Sequence, residues 1–397
     1  MSDLYDPYMP QIMDDPYPIY ARLRREQPVY YMERFDAWAL ALFQDICTAS
    51  EDTVNYTSVP GTSDRMLLER RQQPFEMINS MDPPAHTQLR GRLFGYFGPR
   101  AARALQERIR QWASECLDRH LDRGNIDAVG ELSQQVAVRV ACAVSGFPIE
   151  DAAYLVDLVA RTFAREEGVE GNPPSALAAM REAFEYMQDL ARRRRAGGNA
   201  GEDVVGTMVR EVDEQGRPRA PEWIAGHMVI MLIGATETFP KVFASGLLRL
   251  WQHPDQRREL CANPALIPAA LNEILRYDMP TQWLGRTVAR DHEIRGHALR
   301  RGQPVIFLYP SGNRDERQFA DPDRFDIHRN PARILSFGHG PHRCLGAYHA
   351  TMEGVVLFEE VLRRFPDYEV LPDRAERWRT EFVQGYSRFP IAFNARG

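Results

Sequence analysis

The fold of this chain is decided by the stretch Phe337-Gly338-His339-Gly340-Pro341-His342-Arg343-Cys344-Leu345-Gly346. Its glycines permit a tight turn and a close approach of the backbone to a flat ligand. Cys344 ends the turn beside His342 and Arg343, immediately before a predicted helix, so its sulfur is predicted to be held as a thiolate. A thiolate is a haem ligand that favours O–O cleavage. The commoner fate of a lone cysteine is a buried structural thiol.

The order F-G-x-G-x-H-x-C-x-G resembles the ligand loop of the cytochrome P450 superfamily, the haem-thiolate monooxygenases. This resemblance implies haem b (iron protoporphyrin IX) as cofactor, with Cys344 as the iron ligand and with Phe337, Gly338 and Gly346 against the cofactor. It also implies a mainly α fold with a small β-sheet region, in which residues 1–397 form a single triangular-prism domain.

Periodicity along the chain predicts helices with a little sheet. Residues 28–40 alternate like a hairpin, residues 85–250 have mostly helical apolar spacing, and residues 287–308 contain short strands. A last helix is predicted from about residue 345 to residue 364. Length alone favours two or three domains, but the motifs are spread over the whole chain and must converge on one cofactor.

Composition excludes several function classes. The chain has 397 residues, 44% hydrophobic and 26% charged, which is ordinary for a globular protein. Its net charge of −6 argues against general nucleic-acid binding. Five scattered cysteines without a C-x-x-C pair indicate neither a zinc site nor a disulfide framework, and they fit a reducing compartment. No signal peptide or membrane span is predicted, so we expect a cytoplasmic bacterial protein without a membrane partner.

A second motif is Gly234-Ala235-Thr236-Glu237-Thr238, inside a long apolar run. An ionisable residue in so apolar a helix needs a partner or a purpose. The family resemblance implies that Glu237 and Thr238 are the catalytic acid–alcohol pair and that Ala235 passes close to the haem. The structural alternative is that Thr238 bonds a backbone carbonyl one turn earlier.

This motif departs from the family pattern immediately after Thr238. A second small hydroxyl residue is usual there, whereas this chain has Phe239 followed by Pro240. Proline has no N–H to donate to the carbonyl of Thr236, and its ring crowds that carbonyl. The helix is therefore predicted to bend or open beside the oxygen site, which leaves the proton route undefined.

A third motif is Glu273-Ile274-Leu275-Arg276, in which Glu273 and Arg276 can pair on one helix face. By resemblance, the arginine of Asp321-Pro322-Asp323-Arg324-Phe325 joins this pair. The three side chains, Glu273, Arg276 and Arg324, are predicted to form a structural network that braces the cysteine loop.

A fourth motif is a set of cations suited to two carboxylates. His86 and Arg90 are four residues apart and share a helix face. By resemblance, Arg286 and His342 complete a cluster that binds the haem propionates, and arginine is the best bidentate partner for a carboxylate. The alternative is a set of separate surface ion pairs.

The resemblance also places a substrate pocket beside the haem, for a medium-sized, mostly apolar molecule with one or two polar handles. Hydroxylation or oxidative demethylation is the expected reaction. A loop near residues 60–80 contributes, together with the predicted pocket residues Met231, Gln282, Trp283, Leu284, Phe382 and Val383.

Electrons are predicted to come from another protein, because no G-x-G-x-x-G motif indicates a flavin or nicotinamide domain. A ferredoxin or flavodoxin is expected at a cationic surface around Cys344. Two alternatives stay open: a peroxide-driven peroxygenase, and a catalytically silent haem-binding or docking protein. The cationic surface is predicted from Arg100, Arg103, Arg108, Arg329, Arg333, His339 and Arg343.

Overall fold

A computed structural model describes residues 4–63, 67–71, 75–166, 168–198 and 201–394. The described part is mainly helical with small sheets, as predicted. Its α-helices are α1 (Pro10–Asp14), α2 (Tyr17–Glu26), α3 (Phe43–Glu51), α4 (Ala85–Phe97), α5 (Pro99–Ala104), α6 (Gln106–Asp118), α7 (Gln134–Ser145), α8 (Ala152–Thr162), α9 (Pro174–Ala196), α10 (Val204–Arg210), α11 (Pro221–Thr236), α12 (Phe239–Gln252), α13 (Pro254–Ala262), α14 (Ile267–Tyr277), α15 (Tyr309–Gly312) and α16 (Ala347–Arg364).

The strands are short. They are β1 (Val29–Met32), β2 (Ala37–Leu40), β3 (Tyr56–Thr57), β4 (Asn125–Asp127), β5 (Leu284–Val288), β6 (His292–Ile294), β7 (His297–Leu299), β8 (Pro304–Phe307), β9 (Glu369–Val370), β10 (Glu376–Arg379), β11 (Gln384–Arg388) and β12 (Pro390–Ala392). Within the described residues they form four separate sheets. The largest has the order β1-β2-β8-β5-β3, a second has β4-β12-β9, and β10–β11 and β6–β7 are two-stranded.

The five-stranded sheet joins distant parts of the sequence. The predicted hairpin is confirmed as β1 and β2, which pair with Val29 opposite Leu40. Strand β8 then runs parallel to β2 and antiparallel to β5, with Arg286 opposite Val305. This pairing fixes the backbone of Arg286 against the rigid middle of the sheet.

Three apolar cores support these elements. The largest gathers buried side chains from Ile78 to Phe393 and includes α11, α12, α14 and α16. A second core packs under the large sheet and contains Phe43 and Phe307. A third joins the amino-terminal helices to the sheet and contains Tyr20 and Trp283.

The long apolar segment that contains Glu237 and Thr238 is interrupted beside Pro240, as predicted from the sequence. Helix α11 ends at Thr236 and α12 begins at Phe239, so Glu237 and Thr238 lie outside both helices. The amides of Lys241 and Val242 both donate to the Thr238 carbonyl, at 3.2 and 3.4 Å. Pro240 has no amide hydrogen, and the ladder restarts after it.

The segment Pro221–Gln252 is the one stretch, among the residues with described positions, that is long and apolar enough to cross a membrane. In its most apolar window, 72% is buried inside the protein. The apolar character of this segment therefore matches its place in the largest core.

We predict that Gly246 is required for the crossing of α12, α14 and α16. A Cβ at this position would lie 2.5 Å from the Phe358 ring and 2.9 Å from Ile274. Gly246→Ala should lower the free energy of unfolding in urea by about 1–3 kcal/mol, the usual cost of overpacking.

The matched control is Gly91→Ala in the exposed middle of α4, where an added Cβ meets nothing within 4 Å. Alanine should leave stability unchanged there or raise it by about 0.5–1 kcal/mol. Equal effects of the two substitutions would contradict the predicted crowding at Gly246.

Candidate active site

The cysteine loop has the tight turn that its glycines predicted. The Cys344 amide donates to the Phe337 carbonyl at 2.7 Å, and the Gly338 amide donates to the Leu335 carbonyl at 2.8 Å. Gly338 and Gly340 have φ angles of +67° and +69°, which favour glycine. A Cβ on Gly340 would also collide with a backbone carbonyl of α3.

Two observations together indicate that the Cys344 thiol lies in a recess. Its residue is exposed, yet desolvation is the largest influence on the thiol and raises its pKa. The Gly346 amide donates to the sulfur, and Arg90 and Arg343 also favour the thiolate, but these influences are smaller. Burial thus opposes the neighbouring charges at this thiol, and its ionisation stays a prediction. A coordinated metal ion deprotonates such a thiol.

A stripe of the central helix also faces open space. Ile230, Met231, Gly234, Ala235 and Thr238 are partly or fully exposed, although the helix lies in the largest core. Their spacing of three to four residues puts them on one face. A Cβ on Gly234 would meet nothing within 4 Å, so this face borders an open recess.

The four predicted cations come together. The rings of His86 and His342 stack with centroids 4.0 Å apart. Desolvation is the main cause that lowers the pKa of His86 to about 4 and that of His342 to about 2, and Arg90 and Arg286 lower both further. The cluster is thus two neutral imidazoles between two arginines, rather than four charges.

The carboxylate that acts on Arg286 and His86 is Asp82, and its oxygens already accept from the Thr57 hydroxyl and the Ser58 amide. Arg286 is buried and donates only to the Gly285 carbonyl, at 2.7 Å, among the hydrogen bonds of the described residues. His86 Nδ1 is also buried, and it has no hydrogen-bond partner among the described residues. Buried unpaired donors beside an accessible thiol fit a flat cofactor that carries carboxylates, as haem does.

The Glu273–Arg276 pair is fully buried, with side chains at 0% exposure. Arg276 Nε and Nη2 donate to the two carboxylate oxygens at 2.7 and 2.8 Å. Arg276 Nη1 donates to the carbonyls of Asn313 and Pro322, each at 2.9 Å. This bidentate pair ties α14 to the loop that precedes the cysteine.

The predicted third member of this network is wrong. The Arg324 side chain is 67% exposed and bonds Asp326, and only its carbonyl meets Arg276. Arg329 takes the place instead, with its Nε 3.3 Å from Glu273 and its side chain 11% exposed. The loop turns between residues 324 and 329, which sequence spacing did not reveal.

The network reaches the cysteine loop through Asn313. Its side chain accepts from the Leu335 amide at 2.7 Å and donates to the Ser336 hydroxyl at 2.9 Å. Ser336 in turn donates to the Leu275 carbonyl of α14 at 2.7 Å. The predicted brace therefore acts through backbone carbonyls and through two polar residues that sequence reasoning missed.

The acid and alcohol of the central helix have different partners. Thr238 Oγ1 donates to the Gly234 carbonyl at 3.2 Å, which is the structural alternative raised from sequence. Glu237 is buried, and its carboxylate accepts from Lys241 Nζ at 2.5 Å. Burial raises the pKa of Glu237, while Lys241 and Arg165 act in the opposite direction. Lys241 was missed, although it is the single lysine of a chain with 48 arginines.

Three of the six predicted pocket residues do not line open space. Gln282, Trp283 and Val383 each have 0% exposure. Gln282 accepts from the Tyr20 hydroxyl at 2.9 Å, and Trp283 Nε1 donates to the Glu381 carbonyl at 3.1 Å. The backbone of residues 280–282 pairs with that of residues 382–384, so these side chains are directed into the cores.

The other predicted pocket residues, Met231, Leu284 and Phe382, are partly exposed. Met231 belongs to the open face of α11, whereas Phe382 packs edge-on against Trp283. Their contact with a substrate stays a prediction. Within the loop near residues 60–80, positions 64–66 and 72–74 lie outside the described residues.

Comparisons with known proteins agree with this arrangement. The sequence profile "Cytochrome P450" matches residues 177–384. The chain is 33% identical over 396 residues to the "Putative cytochrome P450 123" of Mycobacterium tuberculosis, covering 98% of this chain and 97% of that protein. It is 32% identical to the 20-oxo-5-O-mycaminosyltylactone 23-monooxygenase of Streptomyces fradiae, covering 94% and 89%. A solved structure of a P450 EryK mutant in complex with erythromycin B superposes with a TM-score of 0.87 at 26% identity, covering 97% and 98%.

The chain therefore belongs to the cytochrome P450 family. It is a P450 monooxygenase, an oxidoreductase with haem b as its cofactor and with O2 and a small molecule as substrates. The recess beside Cys344 and the unbalanced cations fit that cofactor.

We predict that Glu273→Ala destabilises the protein strongly, because it leaves Arg276 buried without its carboxylate. Breaking such a pair costs about 3–5 kcal/mol. Urea unfolding and the ratio of haem to protein after purification measure the effect, and both should fall.

Two further substitutions decide which arginine completes the brace. Arg329→Ala should cost about 1.5–3 kcal/mol, as expected for hydrogen bonds to a charged group. Arg324→Ala, the matched control, should stay within about 0.5 kcal/mol of the parent protein. A larger loss for Arg324→Ala than for Arg329→Ala would contradict the observed network.

Proposed function

We propose that this protein is a haem-thiolate monooxygenase with Cys344 as its iron ligand. It inserts one oxygen atom from O2 into a medium-sized organic substrate, by hydroxylation or oxidative demethylation. The supporting observations are that the Cys344 residue is exposed while its thiol is desolvated, and that its sulfur accepts a hydrogen bond from the Gly346 amide. We also propose that residues 1–397 form one domain, because the largest core joins residues as far apart as Ile78 and Phe393.

The haem would be held by two arginines and two histidines. Arg286 and Arg90 would supply the charges for the propionates, and His86 and His342 would supply imidazole donors. Arg286 donates only to the Gly285 carbonyl and His86 Nδ1 has no partner among the described residues, whereas Arg90 donates to the Arg343 carbonyl and His342 Nε2 lies 3.2 Å from Ser58 Oγ. Bound haem supplies the iron and the electron-accepting ring that oxygen activation requires. Backbone and apolar contacts to its faces are assigned to Phe337, Gly338, Gly346 and Ala235.

Thr238 is proposed to accept a hydrogen bond on the oxygen-binding side. Its own proton is committed to the Gly234 carbonyl, so its lone pairs are what it presents to the open face. A hydroxyl fixed in this way orients a protonated group or a water molecule beside the substrate. Thr238 also lies within the helix interruption, where the usual backbone hydrogen bonds of the helix are not all formed. We propose that a water molecule can bind there.

Glu237 is proposed as the acid that supplies protons. It adjoins Thr238 but is buried against Lys241, with 4% exposure. Its raised pKa brings the carboxyl closer to the range in which it can both take and release a proton. The carboxylate must exchange its contact with Lys241 for one with Thr238 or an intervening water.

The substrate class is proposed from the open face of α11 and from relatives. Ile230, Met231, Ala235 and the exposed Gly234 give a mostly apolar wall, with Thr238 as a polar element. Relatives are named for linalool and a mycaminosyl tylactone, and one structure holds erythromycin B. These compounds support an apolar molecule with polar handles and do not select one substrate.

Electrons are proposed to arrive from a ferredoxin or flavodoxin at the surface beside α5 and α16. The exposed arginines there attract an acidic partner, and Phe94 and Tyr348, 55% and 40% exposed, supply apolar contact. We no longer include Arg329 and His339 in the predicted cationic surface. Arg329 contacts the buried Glu273, and His339 contacts Glu51. The remaining set is Arg100, Arg103, Arg108, Arg333 and Arg343.

A cytoplasmic location is proposed for this chain. None of its five cysteines, all of them among the described residues, forms a disulfide, which fits a reducing compartment.

We predict that Cys344→His or Cys344→Ser abolishes the red-shifted Soret band of the reduced carbon monoxide complex. That band requires sulfur on the iron, while the brace and the cores do not involve the thiol. Far-ultraviolet circular dichroism should show that the helices remain. Cys261→Ser, at a half-buried cysteine, is the control and should keep the band. Survival of the band in Cys344→His would refute the ligand assignment.

We predict that Thr238→Ala keeps substrate binding and NAD(P)H consumption but diverts electrons to peroxide. Glu237→Gln should slow oxygen-dependent turnover by about 10²–10⁴-fold, the usual range for general acid–base assistance. Product formed per electron consumed is the measurement.

Thr236→Ala is the matched control, because its hydroxyl is buried and donates to the Leu232 carbonyl at 2.9 Å. It should keep the coupling of the parent enzyme. Unchanged coupling in Thr238→Ala, together with parental turnover in Glu237→Gln, would remove both residues from the mechanism.

A further inference from the structure

Lys241 stands out in the composition of this chain. It is the only lysine, whereas 48 other positions carry arginine. Its side chain is buried, with 6% exposure, and it is not one of the surface cations. Lysine differs from arginine in that its compact ammonium can lose a proton, whereas the guanidinium stays protonated in proteins. Lys241 is therefore the one strongly basic side chain of this sequence that can give up a proton.

The lysine completes the interruption of the central helix. Its amide donates to the Thr238 carbonyl, which leaves the Glu237 carbonyl without that donor. Lys241 Nζ replaces it, with 3.0 Å to the Glu237 carbonyl and 2.5 Å to carboxylate Oε1. One ammonium thus holds both the backbone and the side chain of Glu237.

The groups around the Lys241–Glu237 pair have other partners or are aromatic. The second cation that acts on Glu237 is Arg165, and a bidentate contact of 2.8 and 3.2 Å commits it to the buried Glu381. Trp378 covers the ammonium, with its ring centroid 5.3 Å from Nζ. Lys241 is therefore the group that compensates the Glu237 carboxylate at hydrogen-bond distance.

A recess lies close to the lysine, although Lys241 itself does not line it. It has a volume of about 520 Å³ and is lined in part by Ser245, Arg377 and Gly385. Ser245 is one turn beyond Lys241 on α12. Gly385 packs against the lysine stem so closely that a Cβ there would lie 2.7 Å from the lysine Cβ. Exposed Arg377 lines the same recess, so solvent enters it as far as Gly385, the residue that contacts the lysine stem.

We propose that Lys241 is a positioning residue that keeps Glu237 charged and in place and that supplies the proton which Glu237 passes on. In this step an N–H bond of Nζ breaks and an O–H bond forms on Glu237 Oε1, giving a neutral amine and a neutral acid. Glu237 then releases the proton to an acceptor beside Thr238 and becomes a carboxylate again, and the amine is reprotonated by a proton from bulk solvent, so that no hydroxide is left at the site. One proton moves inward, and no electron is transferred. This inference rests on the proposed role of Glu237.

The first test measures the charge of Glu237 in the haem-loaded resting protein by infrared spectroscopy at neutral pH. Lys241→Met, which removes the cation, should produce a protonated-carboxyl band that the parent protein lacks. Lys241→Arg should restore the parental spectrum. The band should vanish in Lys241→Met/Glu237→Gln, while the buried Glu353, whose pKa burial raises strongly, serves as a constant reference. Absence of a new band in Lys241→Met would overturn the positioning role.

The second test separates charge from proton supply. Lys241→Arg keeps the charge but cannot release a proton, so turnover should fall by about 10²-fold, the low end for general acid assistance. Its solvent deuterium isotope effect should also increase. Parental turnover and isotope effect in Lys241→Arg would overturn the transfer step. If Glu237→Gln itself has parental turnover, the proposed role of Glu237 fails instead, whatever the infrared result.

A third measurement needs no substitution of the lysine, and it holds if arginine does not fit the site. Protein labelled with ¹⁵N-lysine gives one side-chain ammonium signal, observable in the diamagnetic reduced carbon monoxide complex. Glu237→Gln should shift this signal and speed its exchange with solvent, whereas Thr236→Ala should leave it unchanged. An identical signal in the parent protein and in Glu237→Gln would show that the two side chains are not coupled.

Discussion

The buried Glu273–Arg276 pair is the interaction on which the rest of the site depends. A bidentate pair without solvent contact is costly unless its remaining donors are satisfied. Here they are satisfied by the carbonyls of Asn313 and Pro322, so the pair fixes the loop and not only the helix. Asn313 then fixes the two residues that precede Phe337, and Cys344 is hydrogen-bonded to Phe337. The position of the sulfur in the cysteine loop is thereby set by an ion pair on helix α14.

The same protein interior holds charges that it does not balance. Burial opposes ionisation of Cys344. The cluster contains two arginines, and Asp82, the carboxylate that acts on Arg286, is already hydrogen-bonded to Thr57 and Ser58. A cofactor with a central cation and peripheral carboxylates corrects both deficits at once. Binding of haem is therefore coupled to folding energy in the way that any ligand selective for the native state is.

Local sequence predicted local structure well in this chain. The glycines of the cysteine loop adopt the left-handed backbone that they favour, and Pro240 ends the hydrogen-bond ladder as a proline must. Side-chain destinations over long distances were predicted less well. Arg324 and Arg329 are separated by a turn that decides which one reaches Glu273, and Trp283 is directed into a core by strand-like pairing with residues 382–384. Such outcomes depend on tertiary register, which no motif spacing contains.

The restriction of lysine to one interior position also has an experimental consequence. Reagents that acylate primary amines have no side-chain target on the surface of the native chain, because its other basic side chains are guanidinium or imidazole groups. Modification of Nζ therefore requires the region around α12 and the β10–β11 hairpin to open. The rate of acylation at Nζ therefore reports how often this region opens. It measures the local stability of the protein around Lys241 under native conditions.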